Sequence, residues 1–199
     1  MNADTIIAQV RSRLRDTNYE NLTFSDEELL DMLQIVQTKV VSEFDTNIQT
    51  ISTTLTHAQP NLTLKTPVLK LITASFEGRS VNLQTHAQAL RTPPTTTTLI
   101  ALSPTSYTIT PFEEGSLTIS ANLAPSRCEM HTPLELDSLY HRAVVLGILA
   151  AMFEIETNAQ NLERVRVYQA LYYAECNYLR ALTNAAREKP TFTTPYTKV

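Results

Sequence analysis

Glycine is nearly missing from this chain: Gly78, Gly115 and Gly147 are the only three in 199 residues. A loop that cradles phosphate on backbone amides needs several glycines close together, and neither GxxxxGK[ST] nor GxGxxG occurs. Cysteine is equally scarce. Cys128 and Cys176 stand apart without CxxC spacing, which argues against a disulfide framework or thiolate zinc site and predicts two small buried hydrophobes in a reducing compartment. Charged residues make up 18% of the chain and sum to -4, a balance that gives no basis for wrapping nucleic acid through its phosphates. A hydrophobic fraction of 43% in turn excludes disorder. The most apolar run is short: "YHRAVVLGILAAMFE" holds eleven uncharged residues, 143–153, too few to cross roughly 30 Å of hydrocarbon. It predicts a buried helix. Asp4, Arg11, Arg13 and Arg15 interrupt any apolar leader, so no signal peptide is expected at the start.

Catalytic signatures are missing too. No serine sits in a GxSxG elbow, and HExxH and ExxH are absent. The histidines are His57, His86, His131 and His141. Asp137 and His141 stand at i, i+4, but a metal needs further ligands at matching spacing, so a local hydrogen bond is the simpler expectation. Glu154 and Glu156 fall on different helical faces and make no acid–base pair. No enzyme activity, metal or cofactor is expected.

What is present divides into three parts. Near the start, Ile6, Ile7, Val10 and Leu14 repeat at helical period, with Arg11, Arg13 and Arg15 near the C-terminal end of that helix. "SDEELLDMLQIVQTKVVSEF" predicts a second helix. Ser25 and Glu28 have capping-box spacing, Asp26 and Glu27 suit the positive end of the dipole, and Leu29, Leu33, Val36 and Val40 form the buried stripe.

Over residues 46–124 the texture changes. Charge falls to Lys65, Lys70, Glu77, Arg79, Arg91, Glu113 and Glu114, while threonine, β-branched residues and turn signals dominate. "PVLKLITASF", "EGRS" and "VNLQ" predict strand, tight turn, strand, and "SYTIT" and "SLTISANL" predict a hairpin around "PFEEG". Thr95 to Thr98 predict a solvated strand edge or loop. Residues 46–56 either continue the preceding helix or begin the sheet.

The last part opens at "HTPLELD", where Thr132 as N-cap and Pro133 as first helical residue predict a helix start. That helix runs to about Glu156. A second, about 161–187, carries Leu162, Val165, Tyr168, Tyr172, Leu179 and Leu182, and with Tyr173 and Tyr178 has tyrosine on more than one face. Isolated helix pairs are unstable, so the two terminal pairs, 1–45 and 132–188, are expected to pack as one helical bundle with an all-β insertion over 46–124. The fold class is α+β. Ala143, Gly147 and Ala151, four residues apart, are the expected close helix contact, with Val144, Leu146, Ile148, Leu149 and Phe153 filling the core around it. Beyond the helices, residues 189–199 form an extended tail: Pro190, Thr191, Phe192, Thr193, Thr194, Pro195, Tyr196, Thr197, Lys198 and Val199. Its prolines forbid helix, and Phe192 and Tyr196 are aromatic anchors for a partner's surface or sheet edge.

A helix start at "FSDEELLDML", a β insertion, and "TPLELDSLYHRAVVLGILAAMFE" before a tyrosine-rich last helix resemble the head–tail adaptor (connector) proteins of tailed bacteriophages. The resemblance covers nearly the whole chain in its order of elements. It implies a structural virion protein without catalysis, made in the host cytoplasm and placed in the neck between capsid and tail. There it assembles as a ring, commonly of twelve copies, under the portal protein, and offers a platform for tail or nozzle proteins. DNA passes through the ring's channel without sequence-specific binding, which the mildly acidic balance suits. Residues 190–199 become a portal-docking arm, and the insertion lies at the periphery or the tail-facing side. Two other readings stay open: a neck, tail-completion or tail-terminator protein, and a cellular helical binding module.

Overall fold

The computed structural model describes residues 2–15, 23–91, 95–155 and 161–187. The chain is mixed α+β, with helices toward both ends and two four-stranded sheets between them.

Helix α1 spans Ala3–Leu14 and α2 spans Asp26–Phe44. The start of α2 follows its sequence: Ser25 Oγ accepts from the Glu28 amide at 3.2 Å, and the Glu28 carboxylate accepts from the Ser25 amide at 2.8 Å. Those bonds to Ser25 hold the Glu28 carboxyl below its ordinary value of 4.5. Both helices end on a residue in the left-handed region, Arg15 and Asp45.

Residues 46–56, open on sequence grounds, resolve into strand. β1 (Ile48–Leu55), β3 (Val68–Phe76), β4 (Arg79–Ser80) and β8 (Gly115–Leu123) form one sheet in the order β1-β8-β3-β4, all antiparallel. β2 (Leu62–Thr63), β5 (Leu83–Thr85), β6 (Thr98–Ser103) and β7 (Ser106–Thr110) form the other in the order β2-β7-β6-β5. Leu55, Phe76, Leu117 and Ile119 from the first sheet meet Leu62, Leu99, Tyr107 and Ile109 from the second in one buried core. Pairing also accounts for the threonine-rich texture. On the first sheet Thr50 faces Ser120 at 2.5 Å and Ser52 faces Thr118 at 2.8 Å, while Thr73 and Ser75 continue the rows on β3. Hydroxyls hydrogen-bond across that exposed face, and charge is not needed there.

Two strand pairings differ from the expected ones. "SYTIT" and "SLTISANL" are strands, but β7 pairs with β6 and β2, and β8 pairs with β1 and β3. Residues 111–114 carry the chain from one sheet to the other. Both segments alternate at period two, and Tyr107 and Ile109 of β7 meet Leu117 and Ile119 of β8 in one core, from opposite sides. Likewise only Arg79–Ser80 returns along β3, and Leu83–Thr85 crosses over to run parallel to β6. A parallel pair needs a crossover. Part of it is a short helix, α3 (His86–Arg91), that sequence reasoning missed. Its signal was present as Thr85-x-x-Gln88: the Gln88 amide donates to Thr85 Oγ1 at 3.3 Å and the Thr85 amide to Gln88 Oε1 at 3.0 Å.

The expected helix start at Thr132 and Pro133 also moves. A single 3-10 turn, Ser138–Tyr140, leads into α4 (His141–Ile155), and the cap is Asp137, whose carboxylate accepts from the Leu139 amide at 2.7 Å. Residues 132–137 have other partners. Pro133 bridges to Asn2, Leu136 is buried, and Glu135 accepts from the Ser126 amide and from Asn47, both at 3.3 Å. Helix α5 spans Asn161–Arg187. Side chains from α1, α2, α4 and α5 share a second hydrophobic core, centred on α4.

The two cores meet at Asn122, which is fully buried at the end of β8. Its Nδ2 donates to the Val41 carbonyl at 2.8 Å, one of the last carbonyls of α2, which lack partners inside the helix. Its Oδ1 accepts from the Asn47 amide at 3.1 Å. Replacing Asn122 with Ala leaves both groups without a partner and is expected to lower stability by about 2–3 kcal/mol in urea unfolding. A loss under about 0.5 kcal/mol would show that water reaches the junction and replaces the amide.

Candidate functional site

α4 is apolar around its whole circumference, as a helix enclosed by protein must be. α1, α2 and α5 pack against it. Val144, Leu146, Ile148, Leu149 and Phe153 are all buried. Of the three small residues expected at a close helix contact, Ala143 is fully buried and Ala151 is half-buried. Gly147 is the tightest point. A Cβ there would lie 2.7 Å from Val36 Cγ1 on α2 and 3.1 Å from the Tyr172 ring on α5. Valine in a helix is held to one rotamer, so its methyl cannot swing away.

α5 is fastened along its length. Near its start, Tyr168 stacks on Phe153 with centroids 5.2 Å apart, and the Arg164 guanidinium lies 5.9 Å over the same ring. Gln169 donates to Glu154, Arg142 pairs with Glu175 at 3.3 Å, and Arg180 reaches Glu43 of α2. Tyr172, Cys176 and Leu179 complete the inward face, and burial pushes the Tyr172 hydroxyl and the Cys176 thiol above their ordinary ranges. The other faces of α5 carry Leu162, Val167, Leu171, Tyr173, Tyr178 and Leu182, all exposed. Six of the thirteen large apolar side chains exposed among the described residues therefore lie on this one helix.

The residues considered for chemistry do not converge. Asp137 is occupied as a helix cap, while His141 Nε2 lies 2.8 Å from Gln9 Oε1 on α1. Desolvation, then the charge of Arg13, lowers the His141 pKa from its ordinary 6.5. Cys128 is buried and its thiol donates to Gln37 Oε1 at 2.8 Å; burial, reinforced by Glu135, raises its pKa to about 11. Such a thiol is unreactive. Among the described residues no group of His, Cys, Asp and Glu is arranged to hold a metal. Nor, among them, is any helix long and apolar enough to cross a membrane. The open depression beside α2, lined by Glu27, Asp31, Arg127 and Glu129, mixes charges of both signs without a common focus.

The chain matches no protein-family model. No curated protein matches it significantly. The candidate surface is thus read from the chain's own geometry, and the exposed apolar part of α5 is that candidate. Residues 190–199, the expected docking arm, lie outside the described residues. Leu162 and Leu182, expected along the apolar row of α5, are exposed, while Cys176 is buried, as expected from the sequence.

Replacing Gly147 with Leu should destabilise the fold by about 1–3 kcal/mol through overpacking, against a helix-propensity gain of at most about 1 kcal/mol. Adding Val36→Ala in the same chain should recover part of the loss, measured as a coupling in a double-mutant cycle. Strict additivity would mean that the two helices separate at this point.

Proposed function

We propose that this chain is a structural virion protein, a head-to-tail adaptor that assembles as a ring under the portal of a tailed phage. In this reading residues 1–45 and 132–188 form a helical bundle, residues 46–124 an inserted β domain, and residues 189–199 a C-terminal arm. The observation that carries it is α5: a long helix with six large apolar side chains exposed, on a chain in which, among the described residues, no group of His, Cys, Asp and Glu is arranged to hold a metal. Apolar surface left uncovered on that scale marks a contact with other protein. The order of elements supports the same reading. β1 begins beside the end of β8, with Ile48 opposite Asn122, so the β region leaves and returns at one place. The helices before and after it contribute to one core.

On this reading a ring of about twelve copies extends the DNA channel, residues 190–199 dock onto the portal, and the opposite face receives tail or nozzle proteins. The reading needs no cofactor and no membrane. Native mass spectrometry of the protein with portal rings tests it. The expected result is binding in a fixed multiple that deletion of residues 190–199 abolishes, with the truncated chain keeping the same thermal melt. A protein that ignores portal rings overturns the adaptor reading, and a truncated chain that still docks overturns the arm.

A further inference from the structure

α5 uses its faces differently. Tyr168, Tyr172, Cys176 and Leu179 belong to the core shared with α2 and α4. A second row consists of Val167, Leu171, Ala174, Tyr178, Ala181 and Ala185, and every one of the six is exposed. The row steps by four, three, four, three and four residues. The alternation of four and three repeats the same pair of positions every seven residues, which is the heptad spacing of a coiled-coil seam, and it specifies another helix as the covering element. It runs for about 28 Å along the axis, at roughly 1.5 Å per residue.

The sizes along the seam identify the other helix. Turn a second copy of α5 antiparallel about a two-fold axis near residue 176. Val167 then falls opposite Ala185, Leu171 opposite Ala181, and Tyr178 opposite Ala174. Antiparallel coiled coils pair alternate seam positions in this way, and here every bulky side chain meets an alanine, twice over by symmetry. A parallel pair would set Tyr178 against Tyr178 and alanine against alanine, leaving crowding and voids in alternate layers.

Charge agrees with size. One flank of the seam carries Ala170, Asn177 and Asn184, without charge. On the other flank Glu175 approaches its own counterpart across the axis, but Arg142 of the same copy already holds it at 3.3 Å. The exposed area is also sufficient. Val167, Leu171, Tyr178 and Leu182 are 52%, 40%, 58% and 38% exposed. With the alanines this is on the order of 500 Å² per copy, so a pair reaches the roughly 1,000 Å² that a specific interface needs.

We infer that α5 pairs in solution with α5 of a second copy of this chain, antiparallel and about a two-fold axis near residue 176. The inference goes beyond the adaptor reading and does not rest on it.

Sedimentation of the full chain from micromolar to near-millimolar concentration reads the pairing. The wild type is expected as a dimer. Leu171→Glu is expected as a monomer over the same range, with the thermal melt that the wild type shows when diluted to monomer, because Leu171 is already exposed. Register is read by mild oxidation: a mixture of Leu171→Cys and Ala181→Cys chains should give a disulfide-linked pair, and neither chain alone should. Cys128 and Cys176 are buried and do not compete. Three results would overturn the inference: a wild type that stays monomeric throughout, a dimer that survives Leu171→Glu, or efficient cross-linking by Leu171→Cys alone, which reports a parallel pair. If instead the seam is taken by a helix of a different protein, the wild type stays monomeric until that protein is added.

Discussion

The buried amide of Asn122 is the constraint that relates the two halves of this molecule. Helix α2 ends with carbonyls that have no helical partner, its last turn contains no basic residue, and the chain must then turn at once into β1. A helix end in that position needs a donor from elsewhere. Asn122 supplies it from β8 while accepting from the first turn of the departing chain, so one side chain fixes both the end of α2 and the start of β1. Asp45, in the left-handed region beside it, pairs with Lys70 of β3 at 2.6 Å and ties a third element to the same point. Polar side chains extend this pattern along the connection from β8. Gln34 of α2 donates to the Pro125 carbonyl and accepts from the Cys128 amide, at 3.2 and 2.8 Å, much as a neighbouring strand would. In a low-dielectric junction such a network is stabilising only when every member is satisfied, which makes the geometry specific.

With α2 placed this way, α4 has little freedom. Its apolar circumference has to be enclosed, and Gly147 sets how closely α2 and α5 approach. The contact that brings Val36 and Tyr172 onto the same glycine joins two helices far apart in sequence through a residue that contributes no side chain. Gly115 has the same role in the sheets. A Cβ there would lie 2.6 Å from the Phe76 ring and from Glu77 Oε1, and the Ser116 amide donates to that same Glu77 at 2.5 Å. The shortage of glycine thus coincides with its use: two of the three stand where another side chain occupies the space.

Signals carried by a single element were legible in the sequence. The capping box of α2, the buried stripe Leu29–Leu33–Val36–Val40 and the all-round apolar α4 depend on local spacing, and each is found where the pattern put it. Pairing was not legible. β7 and β8 alternate as partners in a hairpin would, yet they belong to opposite sheets, because period two records which side faces the core and says nothing of the neighbour. The Thr132–Pro133 start failed for a related reason: Leu134 and Leu136 are also spaced as an extended segment, and tertiary contacts to Asn2, Asn47 and Ser126 decided the outcome. On α5 the tyrosines drew notice by their number. The seam beside them went unseen because half of it is alanine, which reads as helix propensity until the exposure of each position is known.

Symmetry limits how the two proposed assemblies relate. An antiparallel pairing of α5 is isologous and closes on itself at two copies, whereas a ring needs a heterologous contact in which different surfaces meet. The seam therefore cannot be the contact that propagates a ring. α5 offers a second apolar region, Leu162 and Tyr173, on a different face from the seam, about 130° away on the helix wheel at 100° per residue. If both assemblies exist, that region and the docking arm remain for the heterologous contacts while the seam is closed. A free dimer then keeps its most apolar face covered until it meets a template, which suppresses uncontrolled association of a chain carrying so little charge. The two proposed assemblies would compete only where their surfaces overlap, and Leu162 and Tyr173 lie on a different face from the seam.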